Sequence, residues 1–193
     1  MCRHFPIAGL AALLLSCLVA GGACAHEMQA NRLTLVLRDR NHLALTFYVD
    51  FPDALHRILA PKRPFQEFAL VHAAMKPQDF QKELLRAQAK IQASTRLTLA
   101  DGRDAAIVNW AWPEPARVHA ALQERLMQAV VAPADHSHGE PVEIRAEVAA
   151  ERDIDAVSVR LPEEFQQVLV VSYRPAQVWV GPSAPAAAIR FPQ

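Results

Sequence analysis

The chain has 193 residues, of which 52% are hydrophobic, and its 20 Lys and Arg residues are matched by 20 Asp and Glu. That composition suits a packed globule and not a disordered chain. The interspersed, balanced charge argues against a dedicated nucleic-acid binder, which needs a basic face, and against a polybasic membrane anchor.

The first element is a secretory signal over residues 1–25. Arg3 and His4 give a short basic start, and an apolar run follows from Pro6 to Ala20. Ala23-Cys24-Ala25 supplies the small-x-small pattern that signal peptidase cleaves, because its pocket admits only small side chains. The apolar run is shorter than the roughly 20 residues a membrane-spanning helix needs, and no later stretch approaches it. Leu14-Leu15-Ser16-Cys17 offers a second route, acylation of Cys17 as in a bacterial lipoprotein, but leucine directly before the small residue is not the preferred type there. The expected product is therefore a periplasmic or secreted chain beginning at His26, with lipoprotein anchoring through Cys17 as the alternative.

Cleavage after Ala25 removes Cys2, Cys17 and Cys24, so the remaining 168 residues cannot use disulfides. Residues 1–25 hold one Arg and no acid, which leaves 19 basic and 20 acidic residues, a net charge of −1. Residues 26–193 are long enough for a single domain with its own core.

Within that domain, Leu33, Leu35 and Leu37 alternate with polar residues, and Leu43, Leu45, Phe47 and Val49 do so again across a short "DRN" turn. This period of two predicts a β-hairpin from Arg32–Arg38 and Leu43–Asp50. The spacing then turns helical. Pro52-Asp53 opens a short helix that Pro61 stops; Phe65–Met75 forms a second; Pro77 begins a third, with Phe80, Leu84, Ala87 and Ile91 on one stripe. Residues 95–112 read as a second hairpin around Asp101-Gly102. A helix over residues 113–132 follows, its inner face set by Val118, Leu122, Leu126, Ala129 and Val130. After a polar loop over residues 133–141, strands are expected at residues 142–150, 156–161, 166–174 and 176–181, with residues 187–191 a further edge. Arg174-Pro175 should interrupt the strand before it, since proline donates no ladder hydrogen bond.

Strands, helices, hairpin, helix and strands do not make the βαβ alternation of a parallel sheet. The expected class is α+β: an antiparallel, β-sandwich-like arrangement with a helical segment inserted after the first hairpin and another helix after the second.

Several chemistries lack their parts. After processing only Gly102, Gly139 and Gly181 remain, each alone, which argues against nucleotide binding by the usual glycine-rich loops. No serine sits in a Gly-x-Ser-x-Gly elbow, and there is no His-Glu-x-x-His helix. Paired acids such as Asp50 with Asp53 and Glu163 with Glu164 leave a hydrolase or lyase as an alternative reading. The main expectation is a non-enzymatic binding or accessory protein whose partner is an envelope protein or a small ligand.

Two constellations could hold a metal. A histidine at the new N-terminus offers its α-amino group and imidazole Nδ1 to one ion, a nitrogen pair that copper and zinc accept. His26 in this setting resembles the N-terminal histidine of periplasmic copper-carrying proteins and copper-dependent polysaccharide monooxygenases; the resemblance covers that residue and its export context, and no second stretch matches either family. The segment "ADHSHGE" adds Asp135, His136, His138 and Glu140. If extended, it presents His136 and His138 to one side. The candidate set is His26, His136 and His138, for copper or zinc.

The tryptophans pose a different choice. Trp110 and Trp112, two apart in a strand, are expected to share a face with Val108, as core or as a stacking surface for sugars or an apolar partner. Tyr173 and Trp179 carry the same ambiguity. Of the remaining histidines, His72 is expected as a hydrogen-bonded core residue, His42 at a turn, and His56 and His119 beside apolar stripes.

Overall fold

The computed structural model describes residues 31–131 and 140–175. Its strands are β1 (Asn31–Arg38), β2 (His42–Val49), β3 (Arg96–Leu99), β4 (Ile107–Ala111), β5 (Val142–Ala149), β6 (Val157–Arg160) and β7 (Val168–Tyr173). The helices are α1 (Phe51–Leu59), α2 (Phe65–Ala73), α3 (Pro77–Ser94) and α4 (Pro115–Val131), and a 3-10 turn covers Glu163–Phe165. The α+β class is borne out.

Five strands form the main sheet in the order β4-β5-β2-β1-β7, antiparallel except where β7 runs parallel to β1. Alternation makes this sheet one-sided. Leu33, Leu35, Leu43, Leu45, Phe47, Val49, Val142, Ile144, Ala146 and Val148 all point into the core. Burying such side chains stabilises the fold by about 1.5–3 kcal/mol each before entropy is counted.

The helices cover that inner face because their own apolar stripes match it. On α3, Phe80, Leu84, Ala87 and Ile91 are buried at the expected i, i+4, i+7, i+11 spacing. On α1, Asp50 accepts a hydrogen bond from the Asp53 backbone N–H at 3.2 Å, an N-cap, while Pro52 occupies the first turn. On α4, Val118 and Leu122 are buried and Leu126 is partly so; the Ala129 and Val130 side chains lie outside the described residues. β3 and β6 pair as a separate two-stranded sheet, whose Leu97, Leu99, Val157 and Val159 join the same core. Sandwich-like packing is thus confined to β3 and β6, with helices covering the rest.

The second hairpin is a correction. Asp101-Gly102 does turn the chain, with the Gly102 N–H donating to the Leu99 carbonyl at 2.9 Å and Gly102 at φ +83°. The return pairing ends almost at once, at the Thr98–Asp104 bridge and the bond from the Ala105 N–H to the Leu97 carbonyl. β3 then pairs with β6, whereas β4 crosses to the main sheet beside β5. Turn chemistry is local, but each strand's partner is chosen by the larger apolar surface it can join.

A second correction concerns Val108. The ladder between β4 and β5 shifts register between Val108 and Ala111, and Asn109 adopts φ +53°. Asparagine tolerates this left-handed conformation, which builds the bulge. Val108 therefore turns outward and is exposed, while Trp110 packs inward. His42 is also the first residue of β2 and not a turn residue.

Candidate functional site

The outer face of the main sheet is the other half of the same alternation. Where the inner rows are leucine, isoleucine and phenylalanine, the outer rows are short or polar. Cross-strand register arranges them explicitly. One row runs Leu169, Arg32, Tyr48, Glu143; the next runs Val171, Thr34, Thr46, Arg145, Ala111; a third runs Tyr173, Val36, Ala44, Glu147, Val108.

Small residues thus occupy the middle and long ones the margin. The result is a basin of about 790 Å³ whose floor includes Thr34, Ala44 and Thr46 and whose rim includes Arg32, Tyr48, Arg145, Glu147 and Tyr173. The rim is partly ordered by its own contacts. The Arg32 guanidinium sits 4.5 Å over the Tyr48 ring. Arg145 pairs with Glu143. Asn109 Nδ2 donates to Glu147 Oε2 at 2.9 Å, and His42 Nε2 lies 3.8 Å from the other Glu147 oxygen. Arg38, exposed at the basin's margin, makes no ion pair among the described residues.

Beside the basin, at the inner side of β7, opens a second cavity of about 590 Å³ with a more apolar lining: Leu35, Leu37, Leu43, Val157, Val159 and Val170. It is the gap between the main sheet and β6.

The candidate ligands His26, His136 and His138, with Asp135, lie outside the described residues, as do Trp179 and the strands expected at residues 176–181 and 187–191. Glu140 is described and exposed. Among the described residues no group of three His, Cys, Asp or Glu is placed to hold a metal ion.

The described histidines have structural partners. His72 is buried, and its Nδ1 donates to the Phe68 carbonyl at 2.8 Å, as expected of a core histidine. His56 Nε2 donates to the Arg63 carbonyl and the ring packs on Phe65 and Phe68. His119 Nε2 reaches the His72 and Ala73 carbonyls at 3.0 and 3.1 Å while its ring stacks on Phe80.

The acid pairs are likewise engaged. Asp50 lies 3.5 Å from Arg125, Asp53 pairs with Arg57 at 2.9 Å, and Glu164 pairs with Lys90. Glu164 ionises more readily than a free carboxyl: burial opposes this, but the Lys90 hydrogen bond, a backbone N–H and the Lys90 charge outweigh it. In the basin, Glu143 and Glu147 are four residues apart on one strand, so their Cα atoms are about 13 Å apart.

Trp110 and Trp112 form no exposed platform. They stack on each other at 5.4 Å, and the pair is flanked by core rings, Phe47 at 5.7 Å from Trp110 and Phe51 at 6.3 Å from Trp112.

The basin itself was not visible to sequence reasoning. Its only sequence signal is the outward set Arg32, Thr34, Val36 and Arg38, which needs the strand order to become a surface. The chain was compared with protein-family models, curated proteins and solved structures, and nothing in any of the three matches it.

Proposed function

We propose that the protein is an exported, non-enzymatic binding protein of the periplasm or secreted space, and that the open sheet face receives its ligand. The observation that carries this is the basin: a small-residue floor ringed by arginine, tyrosine, glutamate and asparagine on the sheet face turned away from the helices. Concavity gives a ligand contact on several sides, and convergent polar groups orient it. The occupant is an envelope protein or a small polar ligand. No helix of the described residues is long and apolar enough to cross a membrane, which is compatible with this reading.

Amide NMR with an envelope extract tests it. Shifts should cluster on Thr34, Ala44, Thr46 and Arg145 and vanish in Thr46→Trp, which fills the floor. Shifts that ignore these residues, or none at all, would overturn the assignment.

A second reading, copper or zinc binding by His26, His136 and His138, is supported by strand register. Arg32 and Glu143 both flank Tyr48 across β2. β1 and β5 consequently run in the same direction and begin at the same end of the sheet, about 10 Å apart. His26 precedes Asn31 by five positions and His138 precedes Val142 by four. At roughly 3.3–3.6 Å per residue, either segment is long enough to span that gap. Protein recovered from the envelope fraction should have the mass of residues 26–193 and take up one Cu(II) in calorimetry. An added N-terminal Met, which displaces the free amine, should abolish uptake. Unchanged uptake with the extension rejects the reading, and a diacylated Cys17 terminus rejects the processing on which it depends.

A further inference from the structure

The two-stranded sheet of β3 and β6 also has two unlike faces. Leu97, Leu99, Val157 and Val159 turn inward and join the core. The alternate residues therefore face away from it, and the register sets them in two rows: Arg96 opposite Arg160, and Thr98 opposite Ser158. With Asp104, which bridges to Thr98 on the other side of β3, they line a cavity of about 440 Å³. Directly opposite side chains start roughly 4.5–5.5 Å apart, so two guanidinium groups are carried side by side, and like charges in that position repel. Among the described residues neither arginine has an ion pair or a side-chain hydrogen bond to offset this. Long side chains can swing apart to lessen the repulsion, but an anion between them removes it and also satisfies their donors.

We propose that this cavity binds the phosphate group of a small hydroxylated phosphate monoester. At neutral pH such a group carries a charge of about −1.5 to −2, enough to balance both cations. Each planar guanidinium can present parallel N–H donors to its oxygens. The Ser158 hydroxyl, one row away on the same face, has no partner among the described residues and adds a further donor.

Asp104 sets which phosphate compounds fit. Its Oδ1 accepts the Thr98 hydroxyl at 2.9 Å, which fixes the carboxylate one row, roughly 7 Å along the strand, from the arginine pair. There it repels a second anionic group and accepts a hydrogen bond from a ligand hydroxyl. A sugar phosphate meets both conditions, with its phosphate at the arginine end and hydroxyls at the acid end. A lipid surface meets them less well. It attracts a spread of basic charge, whereas this pair has an acid beside it in a chain whose 20 basic residues are matched by 20 acids. The cavity is also separate from the basin, since β3 and β6 take no part in the main sheet.

Amide NMR of the full chain, with glucose 6-phosphate, inorganic phosphate and glucose as probes, tests the site. Glucose 6-phosphate should shift Arg96, Thr98, Ser158 and Arg160 and bind more tightly than inorganic phosphate, and glucose should leave them unmoved. Arg96→Gln and Arg160→Gln should each weaken glucose 6-phosphate at least about tenfold, as loss of a charge-assisted contact does. Each also relieves repulsion, so neither should lower the urea midpoint in phosphate-free buffer, which separates a ligand role from a structural one. Asp104→Ala should erase the preference for glucose 6-phosphate over inorganic phosphate. Thr46→Trp, which fills the basin, should leave this binding unchanged, so the two sites can fail separately. Shifts that fall elsewhere, or none at all, would overturn the proposal, as would an affinity that neither arginine variant alters. Arginine-dependent binding to phosphatidylglycerol vesicles without binding of glucose 6-phosphate would assign the pair to a lipid surface and overturn it too.

Discussion

Asp50 shows how much one side chain can organise. Its backbone N–H donates to Asn31 Oδ1 at 2.8 Å, its Oδ1 caps α1, and its carboxylate lies 3.5 Å from Arg125 on α4. Asn31 in turn donates from Nδ2 to the Phe165 carbonyl at 2.6 Å. The start of β1, the end of β2, two helices and the 3-10 turn thus meet around one half-buried acid. Asp50→Ala should lower the stability read from urea unfolding by about 2 kcal/mol, since it removes a cap and one ion-pair partner of a largely buried arginine. Asp50→Asn keeps a capping oxygen and should recover about half of that loss. Equal loss in both variants would show that the ion pair, and not the cap, carries the effect. In sequence, Asp50 was readable only as the last residue of a strand and half of an acid pair. Its partner Arg125 is 75 positions away, so no local pattern could connect them.

Helix ends extend the same logic to whole elements. The last carbonyls of α2 keep acceptor capacity beyond the backbone bond from Met75 N–H to the His72 carbonyl, and α4 uses it: His119 reaches those of His72 and Ala73, and Gln123 Nε2 donates to Ala73 at 3.2 Å. His119, whose imidazole could suggest chemistry, is thereby accounted for as a joint between α2 and α4. The 3-10 turn is held to α3 by Lys90 and Glu164. Because the Glu164 carboxyl titrates below its unfolded value, its contribution is complete above the ordinary carboxylate range, and it is lost as pH falls through the folded value. Wild type should therefore exceed Glu164→Gln in urea stability at pH 7 and converge with it in acid. The difference at pH 7 should be at most about 1 kcal/mol, because Lys90 is half exposed and water screens the pair. A gap that widened on acidification would contradict the stated sign.

Across the whole molecule, the controlling feature is that one sheet face carries the core and the other does not. Ile144→Ala, on the inner face of β5, should cost about 2–5 kcal/mol in urea unfolding. Thr46→Trp, on the outer face, should change stability by less than about 1 kcal/mol, which makes it a clean probe of binding. Comparable losses from both would mean that the outer face is covered in the folded protein, and the basin would then be an internal surface.

The sequence by itself determined most of the element inventory. Period-two and helical spacings, Pro52 and Pro77 at helix starts and Pro175 after β7 act within a few residues, so the first hairpin, the four helices and strands β5 to β7 were all legible. Only the tertiary structure decided which strands are neighbours. β7 lies parallel to β1, β3 left its apparent hairpin mate for β6, and the Asn109 bulge moved Val108 off the tryptophan face. These choices rest on contacts such as that between Asn31 and Phe165, 134 positions apart, whose energies depend on surfaces that exist only once the chain has folded. The basin arises at that level. Its rows take residues from every strand of the main sheet, and alternation within any one strand says only which of them face outward.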